Sequence, residues 1–343
     1  MNRLLQPNRF LPVRAAVWPL MILMPLLARA SAAELPPSDA VRPELCATGF
    51  AFAEGPALDK EGNLFVVNYR TKGTIGRITP DGAASIWCDL NELAPIEGRK
   101  AQANGLKIDS SGRLIVADAG GGRVLRVSAD GKQSEVLADR CDGVRFVSIN
   151  DVALNREGDI FFSDPGGSSV ENPVGTIYRY DIHTKQTAPL VTGLAFPNGL
   201  AVTPDQRQLC VAESQRYRVL LFDLDTETGT VNNQRVLIDF PRQDEGAWIG
   251  GDYPPDGMIF DAEGRLYVAM WTGGVVNVVE FPSGKLIRQY PMGGSQVTNC
   301  HFHGPYLYVT VAAKEAVFRL KLDVAGFEYV APIQPDSKPP AAP

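Results

Sequence analysis

The sequence predicts an all-β fold built as a six-bladed β-propeller. Six segments repeat one pattern, in which a polar residue opens a short apolar strand and a turn then leads into a second apolar strand. The opening residues follow each other at intervals of 50, 46, 48, 58 and 43 positions, and a blade of four short strands needs about 40–50 residues. In a closed ring they would meet at one end of the central channel. They are called mouth residues below and are Glu54, Asn104, Asn150, Asn198, Asp256 and Asn299.

The second strand of every unit is a dense apolar run, which is typical of strands buried on both faces between neighbouring blades. Turns that contain glycine, such as those at Gly62 and Gly112, precede most of these runs and predict tight hairpins. A third strand follows, for instance at residues 122–127 and 175–180. In chain order, the apolar runs are 64–67, 114–117, 160–162, 209–212, 266–269 and 307–309.

Two connections are longer than the others and lead into mouth residues. Residues 89–103 precede Asn104, and residues 240–255, which include Trp248, precede Asp256. Long loops in compact folds often have a function. A lid or substrate-contacting role and plain surface decoration are the two interpretations of these segments.

The ends of the chain predict export and flexible flanks. Residues 1–33 contain four arginines, no acidic residue and an apolar stretch over 15–28 that leads into small residues, which is the pattern of a signal peptide. This stretch is shorter than the roughly 20 residues that span a bilayer, so an uncleaved anchor is the weaker interpretation. We expect a signal peptide at 1–33, a flexible segment at 34–43, one propeller at 44–331 and a flexible proline-rich tail at 332–343, in a periplasmic or secreted protein.

The net charge limits the classes of partner that the chain can bind, and the cysteine content limits its disulfides. The chain has 33 basic and 39 acidic side chains, and loss of the four N-terminal arginines moves its net charge from −6 to −10. Such a balance disfavours nucleic acid and, after signal cleavage, membranes as partners; the oligomeric state is left open. Five cysteines allow at most two disulfides. Cys210 is expected to be a buried thiol, and Cys88 and Cys141 are candidates for a bridge.

The mouth residues carry the chemistry of the predicted site. Each offers carboxylate or amide oxygens, the ligands that a hard cation such as Ca²⁺ prefers. Asparagine and aspartate also form ordinary turns, but one glutamate, one aspartate and four asparagines at equivalent positions indicate a differentiated site. We therefore expect one divalent cation at the top of the channel, with Ca²⁺ as the first choice and Zn²⁺, Mg²⁺ and Mn²⁺ as alternatives.

The same residues resemble those of the senescence-marker-protein/gluconolactonase/luciferin-regenerating family. Glu-Gly-Pro at Glu54, Asn-Asp at Asn150, Asn-Gly-Leu at Asn198 and Pro-Asp-Gly-Met at Asp256 each open a repeat, and the resemblance covers residues 44–330. Members of that family are six-bladed propellers that hold Ca²⁺ or Zn²⁺ near the top of the channel. The resemblance implies that Glu54, Asn198 and Asp256 are metal ligands and that Asn150 is a ligand or a substrate contact.

The resemblance also implies a substrate-binding side. Asn104 and the basic Arg99 match the substrate side of bacterial gluconolactonases. Ser148 stands where sugar-acid lactonases of this family often carry an arginine that holds the sugar, so it argues against an aldonolactone. Trp248 is a further candidate because its loop leads to the mouth. We expect the pocket to prefer a less polar lactone or ester.

The predicted function is that of an exported metal-dependent hydrolase that opens a lactone or related ester by metal-activated water. A dication held by two carboxylates and by amides can polarise a carbonyl oxygen and acidify a bound water. Asp151 or Asp256 would accept the proton, with Asn150 as a further catalytic residue. The sequence has no Gly-x-Ser-x-Gly motif, which argues against a serine hydrolase. The alternatives are a non-catalytic ligand-binding or scaffold propeller with a structural metal, and a quinoprotein-type sugar oxidoreductase.

Overall fold

A computed structural model of the chain describes residues 34–71, 73–241 and 254–329. Within these residues the chain forms six four-stranded antiparallel sheets and one small hairpin. The innermost strands of consecutive sheets contact each other in cyclic order, and the last contacts the first. This arrangement is a six-bladed β-propeller and confirms the predicted fold class.

The chain begins with strand β1 (Glu44–Thr48) and then forms blades 1 and 2. From the channel outwards, blade 1 contains β2 (Ala53–Leu58), β3 (Leu64–Asn68), β4 (Thr74–Ile78) and β5 (Ala84–Asp89). Helix α1 (Leu90–Leu93) follows, and the Asp89 side chain caps it by accepting a hydrogen bond from the Asn91 amide at 2.8 Å. Blade 2 contains β6 (Ala103–Ile108), β7 (Leu114–Asp118), β8 (Arg123–Val127) and β9 (Ser134–Ala138).

Blades 3 and 4 follow a small hairpin. The hairpin pairs β10 (Arg140–Cys141) with β11 (Val144–Arg145). Blade 3 contains β12 (Val152–Leu154), β13 (Ile160–Asp164), β14 (Gly175–Tyr180) and β15 (Thr187–Leu194). Blade 4 contains β16 (Pro197–Val202), β17 (Gln208–Glu213), β18 (Arg218–Leu224) and β19 (Val231–Asp239).

Blades 5 and 6 complete the ring. Blade 5 contains β20 (Pro255–Phe260), β21 (Leu266–Met270), β22 (Val275–Glu280) and β23 (Lys285–Pro291). Blade 6 contains β24 (Val297–His303), β25 (Tyr306–Val311) and β26 (Ala316–Lys321), and its outermost strand is β1. The antiparallel pairing of β1 with β26 joins the two ends of the propeller and closes the ring.

Helix is scarce in the described part of the chain. Besides α1, it comprises two 3₁₀ turns, Ser214–Arg216 and Ala312–Lys314. None of these segments has the length and apolar character needed to cross a bilayer.

The segment before β1 packs onto the propeller. Leu35 and Val41 are 4% and 6% exposed and belong to the same apolar cluster as the interior of blades 5 and 6. The Tyr290 hydroxyl donates a hydrogen bond to the Pro36 carbonyl at 2.9 Å. Residues 34–43, predicted to be flexible, thus contact the propeller through two apolar side chains and one backbone carbonyl.

The core lies between neighbouring blades. Strands β3, β7, β13 and β21 are buried at every residue, as the apolar runs predict. Neighbouring side chains of a strand point to opposite faces, so Leu200 and Ala201 pack into two different apolar clusters, one on each side of blade 4. Each blade is therefore held by burial on both faces.

All five cysteines are unpaired thiols. Cys88 lies in the apolar cluster between blades 1 and 2, whereas Cys141 lies in the next cluster. The predicted bridge between them is therefore wrong, because their similar places in successive blades hold them in separate layers. Cys210 is fully buried, as expected, and burial raises the pKa of its thiol.

Candidate active site

A β-bulge at the start of the inner strands aims the mouth residues. In blade 5, the pairs Pro255–Met270 and Met258–Val268 leave two residues of β20 opposite one residue of β21. The ladder shifts at the equivalent point in β6 and β16, and one residue later in β2. A bulge bends its strand and redirects side chains, which turns the mouth residues towards the channel.

The sixth blade has its mouth position one residue earlier than predicted. The register of β24 against β25 makes Thr298, rather than Asn299, the counterpart of Asp256. The prediction for Asn299 is wrong by one position, because Thr-Asn offers two polar residues where four other blades have one polar residue and a glycine. The Thr298 hydroxyl donates to the Ala53 carbonyl at 3.0 Å and so links blade 6 to blade 1.

A second layer of residues lies one position deeper in the channel. Four of its six positions are glycines, and the other two are Asp151 of blade 3 and Asn299 of blade 6. Asn299 Nδ2 donates to Asp151 Oδ2 at 3.2 Å, although the two residues belong to opposite blades. A Cβ atom at Gly105 would collide with Asp151, and one at Gly257 would collide with Asn299. Because the four glycines have no side chains, the Asp151–Asn299 pair has room to form across the channel.

Five mouth residues line a single cavity of about 570 Å³. The side chains of the two acidic ones are almost fully buried, with Glu54 6% and Asp256 7% exposed. Asp151 is 1% exposed and is not part of the cavity wall. The structure thus brings together all four residues expected to bind a metal, and Asn104 with them. The five are Glu54, Asn104, Asn150, Asn198 and Asp256.

Burial gives the carboxylates of this region unusual proton affinities. Burial and, to a smaller extent, the charge of Asp151 raise the pKa of Glu54 to about 8, although the Gly55 amide, 3.1 Å from Glu54 Oε2, opposes the shift. Burial and then the charges of Glu54 and Asp151 raise the pKa of Asp256 well above its ordinary value. Burial also raises the pKa of Asp151, and the Lys107 ammonium counteracts this. Three interacting carboxylates repel one another when ionised, which favours a bound cation.

The donor set fits a hard divalent cation. Glu54 and Asp256 offer carboxylate oxygens, while Asn150 and Asn198 offer amide oxygens; Asn198 also hydrogen-bonds Asp256. Across residues 34–71, 73–241 and 254–329 there is no group of three or more His, Cys, Asp and Glu side chains arranged to hold a metal. The mouth has two such side chains and would complete its shell with amides. Oxygen donors suit Ca²⁺ or Mg²⁺ better than Zn²⁺, which favours nitrogen and sulfur.

Three further buried carboxylates accept backbone hydrogen bonds from the connections that lead into the mouth. They are not among the residues predicted from the sequence. Asp118, Asp164 and Glu213 end the second strands of blades 2, 3 and 4. Asp164 accepts hydrogen bonds from the amides of Val147 and Ser148 at 2.8 and 3.0 Å. The signal in the sequence is the acidic residue that ends these three second strands. The equivalent donors, both at 2.8 Å, are the amide of Gln102 for Asp118 and that of Ala195 for Glu213.

Aromatic side chains form much of the cavity wall. Phe52 packs between Tyr69 and Trp271, with ring centroids 5.4 and 5.5 Å apart. Phe196 and Tyr217 line the same cavity. We call these five residues the aromatic arc, because they lie in or next to blades 1, 4 and 5, whereas blades 2 and 3 contribute asparagines. Blades 1, 4 and 5 thus supply both aromatic and polar residues to the wall, whereas the polar side formed by blades 2 and 3 has no aromatic residue.

Two of the other residues predicted to bind substrate, Arg99 and Ser148, lie away from the wall. Arg99 is exposed, and its guanidinium donates to the Val147 carbonyl at 2.9 Å, which ties the connection after α1 to the residue before Ser148. Neither Arg99 nor Ser148 lines the cavity. Trp248 falls within 242–253, outside the described residues, as does most of the long connection that contains it.

Comparison with known proteins agrees with the fold. The family model for the SMP-30/Gluconolactonase/LRE-like region matches residues 52–313. The chain belongs to this family. The expected resemblance is thereby confirmed, and the matched region begins just before the first mouth residue and ends beyond the last.

Individual relatives match most of the chain. It is 27% identical over 299 residues to the gluconolactonase of Zymomonas mobilis, which covers 82% of both chains. It is 28% identical over 291 residues to the diisopropyl-fluorophosphatase of Loligo vulgaris, covering 78% of this chain and 88% of that one. The solved structure of regucalcin, a calcium-binding protein from Agrobacterium tumefaciens, has a TM-score of 0.67 at 20% identity over 84% of this chain and 97% of its own.

Proposed function

We propose that this chain is an exported, divalent-metal-dependent hydrolase that opens a lactone or a related ester. The observation that carries the proposal is the pair of buried carboxylates, Glu54 and Asp256, in the wall of a cavity that three asparagines of the mouth also line. Two relatives are named gluconolactonase and diisopropyl-fluorophosphatase. Both names support hydrolysis as the reaction class, and the first supports a lactone as the substrate.

In this proposal, four mouth residues hold the cation, with Ca²⁺ as the first choice because every donor is an oxygen atom. A dication bound there supplies a Lewis acid for the carbonyl oxygen and lowers the pKa of a water molecule. Ionisation of these buried carboxylates favours cation binding, since one cation offsets the repulsion among them. The four ligands are Glu54, Asn150, Asn198 and Asp256.

The Asp256 carboxylate takes up the proton of the attacking water, because a general base must reach the proton that it removes and Asp256 lines the cavity. Asp151, the other candidate, is buried and accepts a hydrogen bond from Asn299. We therefore assign Asp151 a positioning role beneath the mouth. Asn150 and Asn104 orient the substrate from the polar side of the cavity.

Metal content and hydrolysis, measured before and after chelation, test the proposal. The substrate panel comprises sugar lactones, aliphatic lactones, aryl lactones and phosphotriesters. We expect chelation to lower kcat/KM for a lactone by about 100-fold or more, because Lewis-acid stabilisation contributes several kcal/mol and each tenfold corresponds to about 1.4 kcal/mol. Added Ca²⁺ should restore the rate. Hydrolysis that survives complete metal removal would contradict the metal requirement, and metal binding without hydrolysis would favour a binding propeller.

Export is the second part of the proposal and rests on the n-region and the apolar stretch within residues 1–33. We expect the mature protein in the periplasm or the medium to begin after Ala30 or Ala33. N-terminal sequencing of protein from each fraction checks this. An intact N-terminus on protein confined to the cytoplasm would contradict it.

A further inference from the structure

Two phenylalanines of the aromatic arc occupy equivalent positions in the repeat. Phe52 and Phe196 each lie two residues before a mouth residue, and both have left-handed backbone conformations, with φ of 64° and 57°. Gln296 has the same conformation in blade 6, with φ of 61°. The conformation therefore recurs in three of the six blades and needs no aromatic side chain.

Bulky side chains disfavour the left-handed region, so the backbone does not explain two phenylalanines there. Strained residues cluster at ligand sites when the surroundings determine them. Both rings line the cavity, and Phe52 also contacts Tyr69 and Trp271. Aromatic rings from blades 1, 4 and 5 thus face one cavity at the mouth, where a bound ligand could contact them.

The charges on the cavity wall support the same conclusion. In the part of the chain that the structure describes, the wall contains two carboxylates and no lysine, arginine or histidine. The Arg70 guanidinium lies over the Phe52 ring, 5.0 Å from its centroid, but does not line the cavity. A substrate with its own carboxylate would therefore find no cationic side chain in this wall, and a polyhydroxylated ring would lose hydration against the arc. Aromatic surfaces instead bury flat apolar groups.

We infer that the substrate carries an aromatic or comparably flat apolar group, and that Phe52, Phe196 and Trp271 are the residues that select it. The inference rests on the proposed function for the reactive bond. The apolar group lies against the aromatic arc, and the ester faces Glu54 and Asp256. Water adds to the carbonyl carbon, the ring C–O bond breaks, and the products are a hydroxycarboxylate and a proton.

The test compares kcat/KM for an aryl-fused δ-lactone and for glucono-δ-lactone in the metal-loaded, full-length mature protein. We expect wild type to prefer the aryl lactone by tenfold or more. Trp271→Ala and Phe196→Ala should lower that preference by tenfold or more, chiefly through KM for the aryl lactone. Tyr306→Ala is the matched control, since Tyr306 is an aromatic residue outside the cavity, and it should leave the preference unchanged.

Several outcomes separate this inference from the proposed function. A wild type that hydrolyses both lactones but prefers glucono-δ-lactone by tenfold would overturn the inference and leave the hydrolase proposal standing. Equal losses on both substrates in Trp271→Ala and Phe196→Ala would also overturn it, because the arc would then have only a structural role. Hydrolysis of neither lactone by folded, metal-loaded protein would instead refute the proposed function.

A binding measurement tests the arc without catalysis. The probes are an aryl-fused cyclic ketone and a polyhydroxylated cyclic ether, neither of which can be hydrolysed, and the signal is tryptophan fluorescence. We expect quenching by the ketone alone, with a Kd that rises at least tenfold in Phe196→Ala. Equal binding of the two probes, or an unchanged Kd in a variant that circular dichroism shows to be folded, would contradict an aromatic-binding arc.

Discussion

Glu54 and Asp256 affect folding and ligand binding in opposite ways. Both carboxylates are buried near Asp151, and their raised pKa values mean that ionising them in the folded chain costs free energy. A bound dication would offset that cost. The same two side chains would thus weaken the metal-free fold and, once a cation is bound, strengthen it.

The stability of the metal-free protein should therefore depend on pH. Folded Glu54 keeps its proton up to about pH 8, whereas its ordinary pKa is 4.5. Between these values the folded state binds more protons than the unfolded state, so the free energy of unfolding falls as pH rises. We expect Tm, measured by calorimetry in chelator, to decrease from pH 5 to pH 8, and Glu54→Gln to flatten the decrease. An identical slope in wild type and Glu54→Gln would refute the raised pKa.

Asn150 should matter more for turnover than for metal content. A neutral amide ligand is more easily replaced by water than a carboxylate is. We expect Asn150→Ala to lower kcat by at least about tenfold, or about 1.4 kcal/mol in the barrier, while keeping most of the bound metal. Metal analysis and steady-state kinetics check this, with Asn232→Ala, at an exposed asparagine of β19, as the control. Parallel losses of metal and activity would make Asn150 a simple ligand.

Some residues of the site could be predicted from the sequence pattern, and others could not. The five mouth residues of the cavity could be predicted because each is a polar residue directly before an apolar strand. Thr298 could not, because two adjacent polar residues leave the register open until the β24–β25 ladder fixes it. The contact of Asp151 with Asn299 joins residues 148 positions apart, and only closure of the ring brings opposite blades together.

Among the structural elements, the ends of the second strands anchor the connections that carry mouth residues. Asp118, Asp164 and Glu213 are all at most 5% exposed, and each accepts backbone hydrogen bonds from the loop ahead of an inner strand. A buried acceptor of this kind fixes the loop because its donors have no comparable partner elsewhere. The site therefore depends on residues outside its own cavity.

Loss of the Asp164 carboxylate should destabilise blade 3 and misplace Asn150. Asp164→Ala leaves the amides of Val147 and Ser148 without an acceptor, and each unsatisfied group costs about 1–3 kcal/mol. We expect a lower free energy of unfolding in urea and a lower kcat. Glu227→Ala, at an exposed turn, should change stability by less than about 0.5 kcal/mol. An effect of Asp164→Ala no larger than that of Glu227→Ala would argue against the anchoring role.

Long elements were easier to predict than short ones. The second strands follow from apolar runs, because such runs are stable only when buried on both faces. Helix α1 and the β10–β11 hairpin have no periodic pattern to reveal them, since a four-residue helix depends on one cap and a two-residue pairing depends on its turn. The aromatic arc was missed because its members come from different connections.

On the scale of the whole molecule, the start of the described chain completes the last blade. Strand β1 supplies the outer edge of blade 6, and Glu44 pairs with Arg319 of β26 at 2.8 Å. Leu35 and Val41 add buried apolar surface. Ring closure joins residues far apart in sequence, so the chain must order both ends before the mouth is complete.

Removal of residues 34–48 should therefore destabilise the entire propeller. Loss of two buried aliphatic side chains alone costs about 3–6 kcal/mol, and the exposed edge of β26 would favour aggregation. We expect Tm to fall by about 10 °C or more, measured by calorimetry. Removal of 332–343, the predicted flexible tail, is the control and should leave Tm unchanged. Equal Tm values for the two truncations would show that β1 does not contribute to closure.

The central claim is that the mouth carboxylates bind a dication that hydrolysis requires, and metal content measured together with lactone turnover in Asp256→Asn tests it most directly. The substitution keeps the size of the side chain but removes one of the two negative charges that face the cation. We expect wild type to bind about one divalent ion per chain, and Asp256→Asn to lose most of this metal and at least about 100-fold in kcat/KM, or about 2.7 kcal/mol. Asp239→Asn, at an exposed aspartate, should match wild type in both. Full metal content and full turnover in a folded Asp256→Asn protein would contradict the account.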